Sequence, residues 1–174
     1  MRLAIVPLVI FWAGVASSAQ AQSPAAAPPQ CTALESRQFD FWIGEWDVTD
    51  QQSKQHAGES RIEKLYGGCV LRENWSSEGF TGGSLNSWWQ GDGKWHQTWM
   101  DQAGAFRHFI GGLENGRMVM VAEQPRPSQP GQTVLVRLTF TPNPDGTVRQ
   151  YSDYSTDKGA TWQFRYDYLY RRMQ

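Results

Sequence analysis

Turn signals recur along this chain at intervals too short for anything but β-strands. Gly67-Gly68, Gly79, Asp92-Gly93, Gly111-Gly112, Asn115-Gly116, Asp145-Gly146 and Lys158-Gly159 punctuate segments in which apolar and polar residues alternate. A period of two marks a strand with one buried face, and glycine supplies the backbone freedom that tight turns need. No stretch of adequate length carries the apolar spacing of a helix. The alternation predicts strands over 45–49, 57–66, 69–77, 82–90, 94–101, 106–111, 117–123, 133–141, 147–154 and 161–171. A break at 124–132, rich in proline, reads as a loop. Consecutive short strands without helical crossovers make an antiparallel meander. The fold class expected is all-β: a single antiparallel up-and-down β-barrel of roughly eight to ten strands, whose closure removes the exposed edges. Before the first strand, Phe39-Asp40-Phe41-Trp42-Ile43 predicts a short N-terminal helical turn, with Trp42, Trp46 and Val48 as a plug at one end of the sheet.

Residues 1–21 have the layout of a secretory signal peptide, with Arg2, an apolar run over 3–15 and an Ala19-Gln20-Ala21 cleavage site. The apolar run is too short to cross a bilayer core of about 30 Å, so no stable membrane span is expected in the mature chain. Residues 22–33 read as a Pro/Ala-rich linker and 34–174 as the barrel domain. The expected location is periplasmic or secreted, after cleavage behind Ala21. Arg2 leaves with the leader, so the formal charge moves from −1 to about −2, which excludes the basic stripe that nucleic acid requires. Cys31 and Cys69 are the only cysteines. In an oxidising compartment they most simply form one disulfide, the alternative being two free thiols.

The hairpin over 82–104 carries the most specific site signal. Asp92-Gly93 fixes its turn, and the period of two then puts Trp95, Gln97, Trp99 and Asp101 on one face, with Ser84, Asn86 and Trp88 sharing a face on the partner strand. Large aromatics mixed with an amide and a carboxylate suit a pocket better than a dry core. The candidate ligand-binding residues are Asn86, Trp95, Gln97, Trp99 and Asp101, joined by Arg137 from VLVRLTFTP as the donor that receives a ligand carboxylate. Gln150, Tyr166, Tyr168 and Tyr170 are further polar groups that an inward face would present. Nothing in the spacing makes a nucleophile–base pair, a phosphate loop or a metal set, so no catalytic residue, cofactor or metal ligand is assigned. His56, His96 and His108 fit no ligand motif, and His96 falls on the face opposite Trp95. Ser155-Thr156-Asp157-Lys158-Gly159-Ala160-Thr161-Trp162 matches the Asp-box of sialidases; in a single copy it reads as a structural turn, not as a glycosidase signature.

FDFWIGEWDV, GCVLRENW, SLNSWW, KWHQTWMD and WQFRYDYLYRR, spread over 39–172, resemble a bacterial exported family, domain-of-unknown-function family 1579. The element Gly44-Glu45-Trp46 is similar to the one that opens the calycin barrels of lipocalins and fatty-acid-binding proteins. The resemblance implies a lipocalin-like barrel without an established reaction. By analogy with such barrels, the partner expected is a small hydrophobic or amphipathic molecule, bound by a monomer or homodimer. The nitrobindins, a neighbouring barrel group, hold haem through a late histidine; this chain has none after His108. The alternatives carried forward are a small periplasmic enzyme using the same cavity and a structural envelope protein with a filled barrel.

Overall fold

The computed structural model describes residues 31–126 and 129–174; the leader assigned to 1–21 and the linker up to residue 30 lie outside the described residues. Ten strands follow one another: β1 Gly44–Asp50, β2 His56–Leu65, β3 Val70–Ser77, β4 Phe80–Trp89, β5 Lys94–Asp101, β6 Phe106–Glu114, β7 Arg117–Pro125, β8 Thr133–Pro142, β9 Val148–Ser155 and β10 Gln163–Arg172. Each pairs antiparallel with its neighbours in sequence, and β1 pairs with β10 to close the barrel. The protein is the all-β up-and-down barrel that the alternation predicts. Among the described residues no helix is long and apolar enough to cross a membrane.

Most strand ends differ from the sequence expectation by a residue or two, with β7 running on to Pro125 in the segment expected as a loop, and two of the shifts have plain local reasons. β6 runs on to Glu114, where Asn115-Gly116 makes the turn with positive φ at both residues. β10 starts at Gln163 rather than 161, because Thr161 and Trp162 belong to the preceding turn. There Asp157 accepts bonds from the Thr161 amide at 2.9 Å and hydroxyl at 2.6 Å, Gly159 has φ 90°, and the Trp162 indole donates to the Gly159 carbonyl at 3.1 Å. These bonds, the Thr161 hydroxyl first, hold the Asp157 carboxyl down to about 2. The Asp-box motif is here a turn-forming device.

One end of the barrel is plugged from within. Short 3-10 turns at Leu34–Arg37 and Asp40–Trp42 carry Phe39 and Trp42 across the opening. Both are fully buried, as are Trp46 and Val48 at the start of β1. Phe39 stacks on Trp42 at 4.9 Å, and Trp42 lies against Phe140 at 4.8 Å. The Trp46 indole N–H donates to the Trp42 carbonyl at 2.9 Å, fixing the turn to the strand it precedes. A disulfide joins Cys31, just before the first turn, to Cys69, with a Cα–Cα distance of 5.2 Å. So the expected bridge is formed, and it ties the plug segment to the β2–β3 connection.

Strand parity decides what faces the interior. Leu71, Glu73 and Trp75 of β3, Ser84 and Asn86 of β4, and Gln97 and Trp99 of β5 point inward. On β8 the buried residues are Val136, Leu138 and Phe140, which puts Arg137 and Thr139 on the outer wall.

Candidate functional site

The end of the barrel opposite the plug opens into a cavity of about 480 Å³. That volume is in the range that holds a small organic molecule. One wall is aromatic: Trp75 stacks on Tyr168 at 6.0 Å and 9°, and Tyr168 on Tyr166 at 4.6 Å and 23°. Trp99 and Phe109 line it from the other strands. Gly82 makes room for Trp99, since a Cβ there would sit 2.6 Å from the indole.

The floor is polar and built by register. Gln97 stands opposite Asn86, and Ser84 opposite Glu73. The Gln97 amide donates to Asn86 Oδ1 at 2.7 Å; the Asn86 amide donates to Ser84 Oγ at 2.9 Å and to the Leu71 carbonyl at 3.2 Å. Ser84 then donates to Glu73 Oε2 at 2.8 Å, and Ser60 donates to Glu73 Oε1 at 3.2 Å. No cation reaches Glu73 through this network. Burial therefore pushes its carboxyl up to about 7, against the partial pull of the Ser84 and Ser60 hydroxyls. Across the floor the Tyr170 hydroxyl donates to Gln150 Oε1 at 2.5 Å, and the Gln150 amide donates to the Tyr166 hydroxyl at 3.3 Å. Burial also pushes the Tyr166 phenol up to about 12, so it stays protonated.

The raised Glu73 carboxyl makes stability depend on pH. The folded protein holds this proton more tightly than the unfolded chain, so the contribution is whole below 4.5 and is lost as pH rises through about 7. Measured against Glu73→Gln, the protein is expected to lose about 3 kcal/mol across that window, as read from urea midpoints at successive pH values. Parallel midpoint curves for the two proteins would show that Glu73 is not desolvated.

At the mouth, Asp101 is occupied by its own loop. Its carboxylate accepts from the Trp99 indole at 2.9 Å, from the Ala103 and Ala105 amides at 3.0 and 3.1 Å, and from Arg107 at 3.4 Å. These bonds, the Trp99 one first, hold it below the usual carboxylate range. Asp101 thus shapes the β5–β6 turn and angles Trp99. Arg165 reaches the same mouth through a β-bulge: Phe164 pairs with Asp153 and Tyr166 with Ser152, leaving Arg165 as the extra residue. The bulge lets the consecutive residues Arg165 and Tyr166 both line the cavity, which strict alternation forbids.

Of the six residues that the sequence nominates, Gln97, Trp99 and Asp101 line the cavity. Asn86 is fully buried behind the floor and orients Gln97 and Ser84. Trp95 belongs to the plug: it meets Phe39 edge-on at 5.7 Å and donates to Gln38 Oε1 at 3.2 Å, away from the cavity. Arg137 is not in this cavity, contrary to the inward position expected of it. It lies on the outer wall, paired with Asp153 at 2.9 and 2.5 Å and stacked 3.9 Å over the Trp162 ring. An arginine on the polar phase of β8 avoids burial, whereas Leu138 on the other phase lines the cavity.

Glu73, Trp75, Arg107 and Arg165 also line the cavity, beyond the residues that the sequence nominates. The signal for the first two was present in Leu71-Arg72-Glu73-Asn74-Trp75, where a glutamate shares the phase of two apolar residues. The histidines bond one another outside. His96 lies 3.1 Å from His108 and 2.9 Å from Asp92, with Thr98 3.1 Å beyond His108, all on the outer phase of β5 and β6. Among the described residues no three His, Cys, Asp or Glu side chains are arranged to hold a metal. In comparison with known proteins, no family model matches this chain and no curated protein matches it.

Proposed function

We propose that this protein is an exported, lipocalin-like binding protein for a small amphipathic molecule, of the kind that its resemblance to domain-of-unknown-function family 1579 implies. The observation that carries the reading is the cavity itself: about 480 Å³, with stacked aromatics on its wall and hydrogen-bonding groups on its floor. A barrel serving only as a structural element would fill that volume with side chains, as the plug end does. The disulfide supports an oxidising location.

Anilinonaphthalene sulfonate, an aromatic anion whose fluorescence rises out of water, is the probe for a first test. It is expected to bind in a one-to-one complex. Trp99→Ala and Tyr168→Ala should each weaken that binding about tenfold, which corresponds to about 1.4 kcal/mol of lost aromatic contact. Met100→Ala, on the outer phase of β5 and half exposed, should leave it unchanged. Equal affinity in all four proteins would place the probe elsewhere and remove the support for a binding cavity.

A further inference from the structure

The two ends of the cavity offer opposite chemistry. On the floor, each Glu73 oxygen accepts one serine hydroxyl and keeps a further lone pair, and Gln97 presents its remaining amide hydrogen and oxygen to the same space. At the mouth stand two guanidinium groups. Arg107 has a single 3.4 Å contact with Asp101, whose carboxylate already accepts three N–H groups. Arg165 makes no ion pair among the described residues; its guanidinium carbon lies 5.7 Å from the Tyr166 ring centre. Between the ends runs the Trp75–Tyr168–Tyr166 stack, which fits a flat ring.

Resting on the binding function proposed above, we infer that the ligand is a planar aromatic acid bearing a hydroxyl group at its far end. Its carboxylate sits at the mouth against Arg107 and Arg165, its ring lies on the aromatic wall, and its hydroxyl donates to Glu73 on the floor. A guanidinium holds a carboxylate through paired hydrogen bonds, and the bulge that turns Arg165 inward serves that contact. The reverse orientation would set a carboxylate beside Glu73, leave Arg165 without an anion and leave Arg107 with only its 3.4 Å contact to Asp101.

The test is calorimetric titration of the mature protein with para-hydroxycinnamate, cinnamate and para-hydroxycinnamyl alcohol, which carry both end groups or lack one. Para-hydroxycinnamate is expected to bind about tenfold more tightly than either of the others. Arg165→Ala, at an exposed position, should reduce the preference over the alcohol and leave the preference over cinnamate. Glu73→Gln, close to isosteric, should reduce the preference over cinnamate and leave the other. Equal affinity for the three probes, or preferences that neither variant moves, would overturn the assignment of ends. If anilinonaphthalene sulfonate still binds in that case, only the ligand class fails; if nothing binds, the binding function fails with it.

Discussion

Trp42→Ala is expected to destabilise the protein by about 3–5 kcal/mol, a large share of the total stability of a domain this size. The indole is fully buried and touches Phe39, Phe140 and Tyr170, so its removal leaves a hole in the centre of the plug. Its backbone carbonyl also anchors Trp46, and the turn that presents it loses its reason to cross the barrel end. Among the described residues the indole N–H has no hydrogen-bond partner, so Trp42→Phe forfeits no bond and should recover most of the loss. Urea midpoints for the three proteins decide the matter. A Trp42→Ala change below about 1 kcal/mol would mean that the plug is an appendage and that the barrel stands without it.

Removing the disulfide ranks next. The bridge spans 38 residues in sequence, and closing a loop of that length in the unfolded chain is worth about 4 kcal/mol in the chain-entropy account. The double substitution Cys31→Ala with Cys69→Ala should therefore lower the urea midpoint substantially and make it indifferent to reductant, whereas the parent falls to the same value only when reduced. The cavity lies at the other end of the barrel, so the folded double variant should bind anilinonaphthalene sulfonate with unchanged affinity. A variant that stays stable but loses the probe would instead mean that the plug governs the shape of the cavity.

How far the sequence was legible follows from the range of each signal. Strand alternation and glycine turns are local, and they placed all ten strands. The Asp92-Gly93 turn also fixed the register of its hairpin, so the inward phase of Trp95, Gln97, Trp99 and Asp101 could be read directly. Position along that phase was a different matter. Trp95 and Trp99 share a face but lie at opposite ends of β5, one in the plug and one at the mouth, and nothing local separates them. Glu73 escaped because its environment is assembled from three strands: its serine partners come from β2 and β4. Arg165 escaped because a bulge breaks the alternation that was used to read it. For Arg137 the local signal is sufficient: it alternates with Val136, Leu138 and Phe140, and that polar phase sets it on the outer wall.

The pairing of β1 with β10 sets when the cavity can exist. Every other pairing joins neighbours in sequence, but this one brings Trp46 beside Arg172, and ordering so long an intervening chain carries the largest loop-closure entropy in the molecule. The same β10 supplies Arg165, Tyr166, Tyr168 and Tyr170 to the cavity. With the seam open β10 stays on β9, but Tyr168 is parted from Trp75 and the stacked wall is broken. Under the binding function proposed above, a molecule that touches both β10 and the strands across the seam favours the closed barrel, because it binds only that state.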